Sequence, residues 1–166
     1  MRLAHPFRTL PIALCCLASS ACSDGSTGKS GQNVSSSLSC DVAPADELGT
    51  ALERPGLNEP SEETNYGVVT CSYATGDNEH AVILRMLETD ADGFEFDKQS
   101  FEDLGLTTVD IDNLGEKAFS VSDATGAIVS NTVIAWDGTV EVELTTTGSS
   151  VDALQSMVAK ILTRLP

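Results

Sequence analysis

Basic residues are scarce in this chain. Nine Lys+Arg face 25 Asp+Glu over 166 residues, a formal net charge of −16 at pH 7. Arg2 and Arg8 both lie in the first 21 residues, which hold no acid, so the remainder is more acidic still. Such a surface repels phosphate backbones, which argues against nucleic-acid partners. Histidine is limited to His5 and His80, so a multi-histidine metal site is excluded. Aromatic residues make up only 5% of the chain, too few for a rich stacking platform. No apolar run approaches the roughly 20 residues a membrane-spanning helix needs. There is no internal repeat, no Cys-x-x-Cys pair and no Gly-x-Ser-x-Gly nucleophile elbow.

What is present begins with an export signal. Arg2 and Arg8 precede an apolar stretch over residues 10–18, broken only by Pro11, and small residues follow. That is the layout of a secretory leader. Ser19-Ser20-Ala21-Cys22 then has the form of a lipobox, although Ser19 stands where Leu is usual. Cys15 and Cys16 fit less well, because Leu14 and Cys15 are poor residues before a cleavage site. We therefore expect residues 1–21 to be a lipoprotein signal peptide and Cys22 to carry a diacylglyceryl group. The contrasting case, an ordinary cleaved signal, leaves Cys22 as an odd thiol in an oxidising compartment. Residues 22–38 read as a Ser/Gly-rich tether with an r.m.s. reach of roughly 20–25 Å. Several acyl chains, at about 0.8 kcal/mol per buried CH₂, hold such a domain at a membrane despite its charge. Ser23 is not the Asp that marks inner-membrane retention, and Asp24 follows it, so either bacterial membrane fits. Residues 25–30 mimic part of a phosphate-binding loop, but Ser23 stands where its first Gly belongs, and no strand precedes it.

Residues 39–166 read as one α+β domain, an antiparallel sheet packed with helices. Cys40 and Cys71 are its only cysteines, and a pair in an exported protein usually bonds. A buried free pair or a redox pair are the alternatives. A short helix should start near Pro44 and end at Pro55-Gly56, with residues 58–65 a polar loop. Residues 67–74 and 80–88 read as a hairpin, with Val69, Cys71 and Tyr73 on one face. Residues 97–104 read as a short helix. Strands are expected over 107–112, 117–122, 127–136 and 139–146. Asp137-Gly138 suits a type I′ turn between the last two. In the final strand Glu141 and Glu143 alternate with Val140, Val142 and Leu144, which predicts one wet face. The chain closes with an amphipathic helix: Val151, Leu154, Met157, Val158, Ile161, Leu162 and Leu165 share a stripe, and Ser149 is in place to cap it.

This layout resembles small bacterial envelope lipoproteins of unknown function that carry a PsbP-like α+β sandwich. The matching features are the lipobox at Cys22, the tether, Cys40 before a first helix, Cys71 in the first strand, and the amphipathic C-terminal helix. A Gly-x-Gly-Asp-x-Ala turn of that group corresponds to Asn113-Leu114-Gly115-Glu116-Lys117-Ala118. Asn113 replaces the first Gly, a mild change because Asn accepts left-handed backbone. The resemblance implies a fold and an envelope location, and no reaction or catalytic residue.

Residue patterns offer few sites. Glu88, Asp90 and Asp92 alternate before Gly93 as in the start of a calcium loop, but Gln99 falls where the closing Glu belongs. The contrasting reading is a solvated acidic turn. His80 has Glu79 and Asp77 nearby, yet no nucleophile setting accompanies it. Asp110 and Asp112 share a strand face as candidate acid–base carboxylates. Trp136 is a candidate ligand stacker, against the plainer role of a cross-strand packing residue. The favoured function is a lipid-anchored, non-enzymatic binding or accessory module of the cell envelope. Its partner would be an envelope protein or small ligand, with no cofactor and no nucleic acid. The alternatives are an envelope hydrolase using carboxylates or His80, and a calcium-dependent binding module.

Overall fold

The computed structural model describes residues 38–76, 82–124 and 129–166. The expected signal segment, the tether with Cys22, and His80 lie outside the described residues. Seven strands form one antiparallel sheet: β1 (Ser61–Asn65), β2 (Val68–Tyr73), β3 (Val82–Glu88), β4 (Thr108–Asp110), β5 (Lys117–Asp123), β6 (Ser130–Trp136) and β7 (Val140–Thr147). Their spatial order is β1-β2-β3-β7-β6-β5-β4. Two meanders are thus joined through the β3–β7 pair, in which Leu84 faces Leu144 and Met86 faces Val142. Helices α1 (Ala45–Ala51), α2 (Ala91–Asp103) and α3 (Val151–Leu162) complete an α+β domain. No helix among the described residues is long and apolar enough to cross a membrane.

The alternation of each strand divides the core between two sheet faces. On the first, Val69, Cys71, Tyr73, Leu84, Met86, Val133, Ala135, Val142 and Leu144 meet Leu48 and Leu52 of the α1 region and Leu154, Met157, Val158 and Ile161 of α3. The α3 stripe predicted from spacing is the one that docks, although Leu162 is only half-buried. On the second face, Phe119, Val121, Ile134 and Trp136 pack under α2, which contributes Phe94. Phe94 and Phe119 meet edge to face, 5.4 Å between ring centres.

Several expectations need correction. Residues 61–65 of the expected loop are the edge strand β1, paired antiparallel with β2. All five side chains are exposed, so no hydrophobic alternation marks the strand, and its pairing with β2 is backbone hydrogen bonding. Helix α2 begins six residues before the expected 97, because the Asp90 carboxylate caps it by accepting from Gly93 N–H at 2.9 Å. Helix α3 is capped by Ser150, which accepts from Ala153 N–H, and not by Ser149. In the β6–β7 turn only Gly138 is left-handed. Asp137 instead turns the chain by accepting from Thr139 and Val140 N–H. Asn113 does take the left-handed conformation expected of it, at φ +62°. Finally, Glu141 is not on a wet face: it is 2% exposed, because the early-starting α2 covers that side of β7.

Candidate functional site

Among the residues singled out from sequence, Cys40 and Cys71 meet in a disulfide, with Cα atoms 5.7 Å apart. Cys71 lies on the buried face of β2, and Cys40 opens a short 3₁₀ turn, Cys40–Val42, that the bridge pins to the sheet. Glu62 Oε2 accepts from Cys40 N–H at 2.9 Å. These three side chains cluster at metal-binding distances. The two sulfurs are bonded to one another, however, and offer no thiolate.

The remaining candidates are dispersed. Glu88, Asp90 and Asp92 are exposed, with Glu88 at the end of β3 and Asp90 engaged as the α2 cap. Gly93 is helical and packed; a Cβ there would collide with Thr89 Oγ1. Its place in the sequence reflects close packing of a helix start. Trp136 is 7% exposed, stacks near Phe94 and donates from Nε1 to Thr89 O at 3.1 Å. Its ring is a core component and presents no open face for a ligand. Asp110 ends β4 and pairs with Lys98, while Asp112 lies beyond the strand. Both line a shallow cleft of about 290 Å³ with Lys98 and Lys117.

The structure adds two groupings that the sequence did not announce. The first is a cleft of about 630 Å³ between the end of α1 and the start of α3. Its central side chain is Arg54, and local backbone explains its position. Helix α1 ends with Glu53 N–H on Thr50 O at 3.3 Å and Arg54 N–H on Gly49 O at 2.6 Å, the paired bonds of a Schellman motif. The motif puts Glu53 at φ +56°, in the left-handed region. It also folds the chain onto Gly49, where a Cβ would lie 2.6 Å from Arg54 O. Arg54 Nε donates to Ser149 Oγ at 3.3 Å and Nη2 to Thr147 Oγ1 at 3.4 Å. Ser149 Oγ in turn donates to Leu52 O at 3.0 Å. This hydroxyl is why Ser149 does not cap α3: it ties α1 to the α3 entry. Burial alone pushes the Arg54 guanidinium below its ordinary range, with no carboxylate countering the shift.

The second grouping is the Glu141 carboxyl beneath α2. Desolvation raises its pKa to about 8, helped by the Asp97 carboxyl hydrogen-bonded to it and by Glu143 nearby, with Arg85 opposing. Glu141 Oε2 is buried without a hydrogen-bond partner among the described residues. Beside it, Arg85 and Glu143 form a direct ion pair, N–O 2.6 Å. The Glu141 side chain is buried, so it bears on stability more directly than on any substrate.

Comparison of the chain with protein families, with curated proteins and with solved structures yields no significant match. The site must therefore be argued from its own chemistry. Sequence pattern missed Arg54 because a single basic residue before Pro-Gly carries no motif. It missed Glu141 because strict alternation on a strand is read as solvent on the polar side. The signal that could have corrected the second is Phe94, an aromatic too early for the expected helix and in need of a second apolar face.

Proposed function

We propose that this chain is an extracytoplasmic binding or accessory domain, lipid-anchored at Cys22 to a bacterial membrane and without catalytic activity of its own. One observation carries most of the weight: the only two cysteines of the described domain are joined in a disulfide at its core. Such bonds persist in oxidising compartments, which agrees with an export signal. The α+β architecture with a disulfide-pinned first turn is also what the resemblance to PsbP-like envelope lipoproteins implies, and we extend the fold proposal to that sandwich. In support of binding rather than turnover, the cleft of about 630 Å³ is built around Arg54 and hydroxyls, and its lining holds neither a nucleophile–base pair nor a carboxylate pair. The partner on this reading is an envelope protein or small ligand.

The test is intact mass of the mature chain purified from membranes, with and without Cys22→Ala, before and after reduction. A chain starting at Cys22 with added lipid, gaining two protons on reduction, is the expected result. A soluble, unlipidated product from the unsubstituted chain would overturn the anchor.

A further inference from the structure

The cations of this acidic domain are almost all neutralised. Arg85 pairs with Glu143, Lys98 with Asp110, Lys117 with Glu95, and Lys160 and Arg164 share Glu47. Among the described residues, Arg54 is the one cation bound only by hydroxyls. That is unexpected in a chain with 25 acids, one of them, Glu53, its immediate neighbour. A guanidinium has five N–H donors in a planar fork. Ser149 and Thr147 take two of them, leaving the rest of the fork for another acceptor.

We propose that the Arg54 cleft binds a single carboxylate group carried on a small uncharged body. The fork geometry of Arg matches a carboxylate through two parallel N–H···O bonds. Ala51, Pro55 and Ala153 supply small apolar walls, and Ser150 adds a hydroxyl at the α3 end. A volume of about 630 Å³ lies within the usual range for small-molecule sites. Charge sets the class further. The one cation shares the cleft wall with Glu53, and α3, whose start lines the cleft, carries Asp152 in its first turn. A polyanion would meet more repulsion than attraction, whereas a monocarboxylate needs only the one guanidinium. This inference rests on the binding-module reading and names the ligand class for it.

The test uses ¹⁵N–¹H spectra of the full chain at low ionic strength. The probes are N-acetylalanine, its uncharged amide N-acetylalaninamide, and inorganic phosphate. N-acetylalanine should shift the amides of Ala51, Arg54, Gly148, Ser150 and Ala153 saturably, the amide should not, and phosphate should bind at least tenfold more weakly. Arg54→Gln should weaken N-acetylalanine at least tenfold, with Arg54→Lys intermediate because it keeps the charge without the fork. Arg54→Gln also removes two hydrogen bonds, so Ala153→Leu provides an independent check. It fills the cleft without touching the guanidinium and should abolish the shifts in a chain whose other resonances are unchanged. Acetate and N-acetyl-trialanine separate the two sources of such a group: tighter acetate binding indicates a free small acid, tighter tripeptide binding a chain terminus. Unsaturable shifts, equal response to the amide, phosphate binding as tight as N-acetylalanine, or binding that survives Ala153→Leu would overturn the site. The mass of the recovered probe keeps the two readings apart. Binding with hydrolysis would preserve the site and sink the non-catalytic reading, whereas the anchor stands or falls on Cys22 alone.

Discussion

The two faces of the sheet are held by different chemistry. The first is aliphatic apart from Tyr73 and is stapled: α1 and α3 lie on it, and the Cys40–Cys71 bridge fastens the segment before α1 to β2. There Tyr73 Oη donates to Ala43 O at 2.8 Å, whereas the buried Thr146 Oγ1, on the same side of β7, has no hydrogen-bond partner among the described residues. The second face is smaller and aromatic beneath α2, and it encloses the Glu141 carboxyl. One face has no carboxyl at its centre, and the other has one whose proton is part of the packing. The lesson is that stability of the two halves should respond to different variables, redox state for one and pH for the other.

Removing the staple should have the largest effect. The bridge spans 31 positions in sequence. Restricting a loop of that size in the unfolded chain is worth about 3–4 kcal/mol. The double substitution Cys40→Ala/Cys71→Ala should lower stability by about that amount in urea unfolding. Hydrogen exchange should rise first in α1 and β2 and last in β5 and β6. A loss under about 1 kcal/mol, or faster exchange starting under α2, would dissolve the contrast between the faces.

The first face was the more legible in sequence, and the reason is physical. Its residues alternate with period 2 in β2 and recur at helical spacing in α3, so Val69, Cys71, Tyr73, Leu154 and Met157 were all identifiable as core. Cys40 and Cys71 followed from composition and compartment. The second face was obscured by its own polarity. Glu141 and Glu143 complete an apparently solvated alternation. The acidic run before Phe94 reads as a turn, although Asp90 is in fact the cap that starts a helix there. Strand β1 left no trace because an exposed edge strand buries no side chain. Arg54 was invisible for a different reason. Its isolation from carboxylates is a three-dimensional property, which a list of 25 acids conceals.

A pH-dependent effect should distinguish the second face. Glu141 holds its proton in the folded chain up to about pH 8, whereas the group ordinarily titrates at 4.5. A raised carboxyl pKa means that the folded state binds the proton more tightly. The stability this gives is fully present below about pH 4.5 and is lost as pH rises through about 8. Stability should therefore fall between pH 5 and 9. Glu141→Gln keeps the shape of the protonated side chain and adds an N–H donor for Asp97. Its melting temperature should exceed that of the parent at pH 9 and nearly match it at pH 5. The Cys40→Ala/Cys71→Ala variant should retain the parent's pH slope. A Glu141→Gln profile parallel to the parent's would show that another group carries the slope.

The smallest effects separate the two long helices at their starts. Asp90 caps α2 over the second face and Ser150 caps α3 over the first. Each replaced by Ala should cost about 1 kcal/mol. The comparison sharpens at Asp90, because the same carboxylate is a candidate calcium ligand in the sequence pattern Glu88, Asp90, Asp92. Asn caps a helix about as well as Asp but is a poorer ligand for a hard cation, since it brings no charge. Asp90→Asn should therefore keep nearly all the stability that Asp90→Ala loses. Calcium in excess over chelator should leave the melting temperature of the parent unchanged. A ligand that binds only the folded state raises that temperature in proportion to its occupancy. A calcium-dependent rise that Asp90→Asn removes would return the turn to the metal reading. Equal melting of the parent and Asp90→Asn, with and without calcium, leaves capping as the task of this carboxylate.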